Sequence, residues 1–330
     1  MKRKTLWIAV LITVLFTIVT VPLLAQEGVH IPITQKSATF AGILLQPKFL
    51  TMFLLAIVAI ILLYTRRMGE RARVALLLFA TFAFGIAGNL PGRFFHAYAM
   101  HPAPVCAATK PFLFGLRLPF VVTIIVIGVL TLIGPKLFCS YICPVGAVQE
   151  LAAKLSRKLR FRMFLLNPSA VLLTRMVVFA MFIALSVSAY LHVTFKGKVY
   201  PVSLYDYINP FHGFEFSGGL PVMEMIFNFL PLVLVIVLAF KWYRPFCYAV
   251  CPVGLFTHWM EQAGALRVTF IPDKCTHCNL CVTETACPAV PEILKDAVYR
   301  PDCFGCNQCI LACPTDALKW GTRRSAPDVR

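Results

Sequence analysis

Acidic side chains are scarce in this chain. Its 330 residues include 14 Asp and Glu against 31 Lys and Arg, and charged residues make up only 14%. Soluble globular domains carry about 25%, so an ordinary water-facing surface is excluded for most of the sequence. Nucleotide signatures are absent too. There is no G-x-G-x-x-G and no phosphate-cradling G-x4-G-K-[ST], and no Ser/His/Asp arrangement lies in a soluble stretch, which argues against a self-contained dehydrogenase. No module interleaves basic with aromatic residues. The formal net charge of +17 therefore does not point to a nucleic-acid partner.

What the chain has instead is apolar surface: 59% hydrophobic residues and a mean hydropathy of +0.79. Crossing a bilayer takes about 20 apolar residues, or a few fewer with help from the flanks. Six runs meet that need: Leu6–Leu24, Phe49–Tyr64, Val74–Leu90, Leu118–Ile133, Ala170–Val193 and Met223–Phe240. Met1-Lys2-Arg3-Lys4 before the first run could open a signal peptide, with Ala25 ahead of the cleavage point. The run is as long as a full span, so a retained anchor is expected. Placing the N-terminus inside puts Lys2, Arg3, Lys4, Arg66, Arg67, Arg71, Arg73, Lys136, Lys154, Arg157, Lys158, Arg160, Arg162, Lys241 and Arg244 on inner loops. The outer loops then hold only Lys36, Lys48, Arg93, Lys110, Arg117, Lys196 and Lys198. Positive-inside bias predicts a multi-pass protein of the cytoplasmic (inner) membrane with both termini cytoplasmic, its basic loops facing anionic headgroups. Glu150–Met163 alternates basic and apolar residues. It is expected to lie on the inner surface as an amphipathic helix, with a solvated connector as the plain alternative.

Cysteine carries the chemistry. Cys275, Cys278, Cys281 and Cys287 run C-x-x-C-x-x-C-x5-C-P, and Cys303, Cys306, Cys309 and Cys313 run C-x-x-C-x-x-C-x3-C-P. Three thiolates spaced two residues apart wrap one face of an iron–sulfur cube, and the distant fourth closes the other. That pattern predicts one 4Fe–4S cluster on Cys275, Cys278, Cys281 and Cys313, and a second on Cys303, Cys306, Cys309 and Cys287. Zinc ribbons would favour two separate C-x-x-C knuckles. The stretch resembles the bacterial two-cluster ferredoxins over 267–320, with a longer gap at Val282–Ala286 that lengthens a surface loop. The resemblance implies single-electron transfer.

A second cysteine pattern is written twice. Phe138-Cys139-Ser140-Tyr141-Ile142-Cys143-Pro144-Val145-Gly146 follows the fourth apolar run, and Phe246-Cys247-Tyr248-Ala249-Val250-Cys251-Pro252-Val253-Gly254 follows the sixth. The repetition predicts an internal duplication with pseudo-symmetry. A residue before proline is pushed out of the helical region, and proline suits the first helical position. Cys143 and Cys251 are thus expected at helix N-termini, where the dipole and nearby Lys136, Lys241 and Arg244 should lower the thiol pKa. Gly146 and Gly254 leave room for a close approach. Cys139, Cys143, Cys247 and Cys251 are candidate ligands of a third iron–sulfur cluster. The alternatives are redox-active thiols and plain packing of buried cysteine.

Paired Cys-x3-Cys-Pro motifs followed by a two-cluster tail resemble the NapH/MauN family of ferredoxin-type membrane proteins. The wording Cys143-Pro144-Val145-Gly146-Ala147-Val148-Gln149-Glu150 is similar to the membrane-plus-ferredoxin half of NosR- and PceC-type proteins. Unlike those, the chain has no outer flavin-binding domain: Gln26–Pro47 is too short for one, and Ser37-Ala38-Thr39 matches a flavin-attachment threonine poorly. A covalent flavin is therefore not expected. The resemblance implies an electron wire between the quinone pool and an iron–sulfur partner, in a family associated with quinol oxidation for periplasmic nitrate reductase.

Quinol oxidation releases protons and needs a base at the membrane edge. His96, His192 and His212, on loops read as outer, are candidates there, beside Arg93, His101, Asp206 and Glu215. His258, just past Cys251, is the candidate at the inner face. Haem ligation by two of the outer histidines is the lesser alternative. An interfacial belt with Tyr98, Tyr205 and Tyr207 is the preferred reading of the outer group. Cys106 has no partner in sequence. The expected architecture is an all-α polytopic membrane domain of six helices over 1–266, a C-terminal α+β two-cluster ferredoxin-like domain over 267–320, and a disordered basic end over 321–330. The expected role is an electron-transfer subunit of a hetero-oligomeric oxidoreductase bound to lipid, quinone and iron–sulfur or other redox subunits. A maturation factor supplying electrons to a metalloenzyme and a redox-sensing regulator are the competing readings.

Overall fold

A computed structural model describes residues 40–65, 67–90, 95, 97–100, 102–196, 205, 208–214, 222–295 and 302–322. The expected first span, the flavin-like Ser37-Ala38-Thr39, and Arg93, His96, His101, Asp206, Tyr207 and Glu215 lie outside the described residues.

Helix α1, Pro47–Tyr64, starts where Gln46 is extended and proline takes the first helical position. It contains no later proline or glycine. Phe49, Met52, Ala56, Ala59 and Leu63 recur at helical spacing and are buried. Leu50, Leu54, Ile57 and Ile61, on other faces, remain more than half exposed. Leaving each such side chain in water forfeits about 1.5–3 kcal/mol, so this helix has an apolar face that only lipid or another protein satisfies. Helix α2, Glu70–Thr81, continues through a π-helical turn at Phe82–Ile86 and a 3-10 turn to Asn89. Helix α3, Pro104–Thr109, precedes α4, Leu118–Ile133. After the first cysteine motif comes α5, Pro144–Lys158, then the long α6, Pro168–Lys196. Helix α7, Val222–Ala239, holds Pro231 inside it. After the second motif comes α8, Pro252–Glu261.

Pro47–Tyr64, Glu70–Asn89 and Pro168–Val187 are long and apolar enough to cross a membrane; Leu118–Ile133 and Asn228–Ala239 are shorter apolar helices. The chain therefore has a helical membrane part. Five of the six runs read from sequence are helical, and the first, Leu6–Leu24, lies outside the described residues.

Three expectations need correction. Glu150–Met163 does not lie on a surface along its length: α5 ends at Lys158, Arg160 turns left-handed, and Glu150, Ala152, Ala153 and Ser156 are buried, while Leu155, Leu159 and Phe161 are exposed. This helix packs between α2 and α7, because its small residues and paired carboxylate suit an interior. Tyr205, read as part of an outer headgroup belt, turns inward instead. Helix α3 packs on α4 and α8, Tyr205 is 1% exposed, and its hydroxyl donates to Val250 O at 3.2 Å, next to Cys251. Finally, Arg73, Lys136 and Arg244, counted toward sidedness, are buried and ion-paired, so their charge is spent on packing.

Leu266–Phe270 (β1) and Leu318–Thr322 (β2) form an antiparallel pair in register Leu266↔Thr322 to Phe270↔Leu318. This pair closes the ferredoxin-like tail. Gly321 and Thr322, assigned from sequence to the disordered end, complete the second strand.

Candidate iron–sulfur sites

The tail gathers its cysteines in two places. Cys275, Cys278, Cys281 and Cys313 line one cavity together with Phe270, Thr315 and Leu318. Cys287, Cys303, Cys306 and Cys309 line another with Tyr243, Val268 and Trp320. Each set joins three cysteines from one motif with the trailing cysteine of the other. The two loops are built alike. Left-handed residues fall two and four positions after the leading cysteine in both: His277 and Asn279 in one, Gly305 and Asn307 in the other. Turns of this kind roll successive N–H groups toward one centre and suit an anion. Backbone N–H groups of Gly305, of Ala289 and Val290, and of Thr315 face the sulfurs of Cys303, Cys287 and Cys313 respectively and favour their thiolates. Hydrogen bonds to sulfur are a standard device of Fe–S proteins. The residues present fit such clusters.

The membrane cysteines form a third group. Cys139, Cys143, Cys247 and Cys251 are all buried. Cys143 is extended at φ −64°, ψ 117° and Cys251 at φ −63°, ψ 122°, each capping the helix that its proline begins. Gly254 N donates to Cys251 Sγ at 3.4 Å, and Gly146 N–H bonds Cys143 in the same way. The two halves then cross. Gln149, on α5, donates to Cys247 Sγ at 3.2 Å, and Thr257, on α8, lies beside Cys139 while donating to Val253 O at 2.9 Å. Arg244 donates to Cys139 O at 2.7 Å and Lys136 to Gly254 O at 3.2 Å. Both cations sit three residues before a motif's first cysteine, and both have left-handed backbones. A Cβ on Gly146 would stand 2.6 Å from Cys139 O, and one on Gly254 2.5 Å from Cys247 O. Packing follows the same exchange: α5 lies on α7, and α8 lies on α4.

Helix-end N–H groups lower the thiols of Cys143 and Cys251, but burial outweighs them. Burial pushes Cys139 up to about 11 and holds Cys143, Cys247 and Cys251 above the ordinary thiol value, with neighbouring cysteines adding to the rise at Cys143 and Cys251. Desolvation outweighs the helix dipole, so free reactive thiolates are disfavoured here. Lys241 is exposed and takes no part. Arg175, by contrast, was not singled out from sequence. It is 1% exposed, stands against Gly254, and its Nε and Nη1 have no partner among the described residues. These two unpartnered nitrogens beside Cys251 fit an anionic thiolate cluster between the halves, while Nη2 is bonded to Asp302. Among the described residues no three Cys, His, Asp or Glu groups converge tightly enough for a single ion; a cube spreads its thiolates around a larger body.

Two buried ion networks brace this layer. Glu150 accepts from Arg73 Nε and Nη2, each at 2.8 Å, from Arg244 Nη2 at 2.6 Å and from Tyr243 OH at 3.0 Å. Burial alone would push its carboxyl up, but Arg73 and Arg244 outweigh burial and hold it well below the usual range. Asp302 is the second centre, bonded to Lys136, Arg175 and, at 3.0 Å, His258 Nδ1. Burial is again opposed and overcome, by Arg175, Lys136 and His258. Next to it, the Phe304 ring lies under Arg244 at 4.4 Å and Lys136 at 5.4 Å, with Tyr248 edge-on at 5.2 Å.

Of the quinone-site candidates, His258 is 1% exposed and committed to this network. His212 is half-buried, with Nε2 3.5 Å from Asn209 Nδ2, and Asn209 Nδ2 lies 3.9 Å from Cys106 Sγ. His192 lies in α6, its side chain outside the described residues, and His96 lies outside them altogether. The described structure does not bring His258 and His212 together.

A family described as a 4Fe-4S binding domain matches residues 116–162 and again 225–270, each match enclosing one Cys-x3-Cys-Pro motif. A second 4Fe-4S binding domain family matches 298–319. The ferredoxin-type protein NapH of Haemophilus influenzae is 23% identical over 79% of this chain and 90% of its own length. NapH of Escherichia coli is 27% identical over 62% of this chain and 68% of its own. The YccM electron transport protein of Escherichia coli is 24% identical over 56% of this chain and 51% of its own. No solved structure matches. Its iron–sulfur binding domains, apolar helices and these relatives make the chain similar to the NapH ferredoxin-type proteins and support electron transfer through iron–sulfur centres.

Proposed function

We propose that this chain is a membrane-bound subunit that carries electrons between the quinone pool and iron–sulfur sites on the cytoplasmic side, within a larger oxidoreductase. Cys275, Cys278, Cys281 and Cys313 hold one 4Fe–4S cluster; Cys287, Cys303, Cys306 and Cys309 hold another. Cys139, Cys143, Cys247 and Cys251 hold a third at the junction of two duplicated halves. Such clusters supply single-electron storage without bond making. The protein's part is to exclude water, hold the sulfurs with donors such as Gln149 and balance their charge with Arg175. Six spans, with both termini in the cytoplasm, place the tail under the inner leaflet.

One observation carries the reading. The four cysteines of two like-worded motifs meet in a single buried layer, cross-bonded half to half, with the tail's Cys303–Cys309 loop packed against that layer. Anaerobically purified protein is expected to contain about twelve irons and as many acid-labile sulfides per chain, given three four-iron clusters. Quinol added in detergent should bleach the cluster absorption within seconds. About eight irons, unchanged in a Cys143→Ser, Cys251→Ser variant, removes the third site. No bleaching by any quinol removes the quinone link and leaves an accessory electron-supply role.

A further inference from the structure

The two halves of the membrane domain differ in the source of their main buried acid. In the first half the position seven residues after the motif's second cysteine is Glu150, which neutralises Arg73 and Arg244. In the second half that position is His258, and the cations facing it are Lys136 and Arg175. No carboxylate of that helix is paired with Arg175 among the described residues. Asp302 fills the role. It comes from the tail, is 2% exposed, and bonds Lys136, Arg175 and His258. Cys303 follows it immediately, and Cys303 N donates to Glu261 Oε1 at 2.9 Å. The residues beyond are tied down as well. Ser140 donates to Phe304 O, Tyr141 OH donates to Gly305 O at 2.7 Å, Tyr248 OH to Asp302 O at 2.7 Å, and Asn307 Nδ2 to Met68 O at 2.8 Å. The other loop has no such ties among the bonds described, and Thr276 to Leu280 are exposed.

We propose that Asp302 is a positioning residue: it latches the Cys303–Cys309 loop into the second half's cationic socket, making that site the fixed inner one and leaving the Cys275–Cys281 loop as the outward one. The inference rests on the iron–sulfur reading of the tail but not on the quinone link. A buried latch is screened little by salt.

The test uses full-length, cluster-loaded protein in detergent. Hydrogen exchange over 302–311 should be slow in the parent and unaffected by 1 M salt. Asp302→Asn should speed it at least tenfold while 275–281 changes less than twofold. The same variant should raise the reduction potential of one of the two tail sites by redox-titrated EPR and leave the other in place; removing a negative charge beside a cluster favours its reduced form. Lost packing alone would not move a single potential. Should Asp302→Asn fail to accumulate, Tyr248→Phe, which deletes only a hydroxyl, should speed exchange over 302–311 by a smaller factor. Unchanged exchange in whichever variants accumulate, or equal shifts at both tail sites, overturns the latch. Parent protein whose tail holds no iron would instead count against the cluster assignments.

Discussion

Replacing Glu150 by Gln isolates the charge of the first network without changing its shape. The parent carboxylate accepts two bonds from Arg73 at 2.8 Å, two from Arg244 at 2.6 and 3.2 Å and one from Tyr243 at 3.0 Å. All of these partners are buried. A glutamine leaves two guanidinium groups in the interior without an anion. Removing one partner of a buried ion pair costs about 3–5 kcal/mol. At about 2–4 °C per kcal/mol, the unfolding midpoint should fall by about 6–20 °C in a fluorescence-monitored melt at fixed heating rate. Glu70→Gln is the control. Glu70 is 73% exposed and lies 3.4 Å from Lys154, so that loss should stay within about 1 kcal/mol. The sign with pH follows from the depressed carboxyl. Its contribution is fully present above the unfolded value of about 4.3 and is lost only as pH falls toward the lower folded value. The Glu150→Gln penalty should therefore be flat from pH 6 to 8. A shift equal to the control's would show that the network contributes nothing to stability.

Gly146→Ala and Gly254→Ala press a methyl onto Cys139 O and Cys247 O. Each should cost about 1–3 kcal/mol of stability and lower iron by about four per chain, read by metal analysis beside an unchanged tail EPR signal. His258 is held below the ordinary imidazole value by burial despite Asp302, with Lys136 and Arg175 adding to the shift. Its contribution is present above about pH 6.5 and lost below it, so the melting midpoint should fall between pH 7 and 5.5, and His258→Asn should fall less. Asn307→Ala removes the bond to Met68 O and orphans Trp320 Nε1; a loss of about 1–3 kcal/mol should appear as faster tryptic cleavage of the tail. Stripping iron with a chelator after oxidation should unfold the tail, visible as loss of β1–β2 protection, while far-ultraviolet helicity of the membrane part persists.

The cysteine spacings were readable because ligand chemistry is local: each triplet and its trailing Cys-Pro lie within a dozen or so residues. The helix starts at Pro144 and Pro252 were readable for the same reason, since proline constrains its own neighbours. Hydropathy located α1, α2, α4, α6 and α7 because lipid exposure is summed along one helix. Partners distant in sequence were not readable. Nothing near Arg73 announces Glu150, 77 positions away, and Asp302 looks like an ordinary polar residue before a cysteine until Lys136 and Arg175 are placed around it. Tyr205 resembled an interfacial tyrosine because its loop is flanked by polar residues, yet the chain turns it toward Val250. The thiol shifts were misjudged because helix dipoles are visible in a sequence and desolvation is not.

Phe304 has a consequence for how such proteins are divided. It belongs to the tail, yet its ring is clasped by Arg244, Lys136, Tyr243 and Tyr248 of the helical part. Cutting the chain after Glu261 would open a hole beneath Arg244 and take Asp302 from Lys136 and Arg175, and grafting a foreign ferredoxin there would leave it unfilled. Tail and helices therefore have to be exchanged as one piece when chimaeras are made, with the aromatic plug carried along.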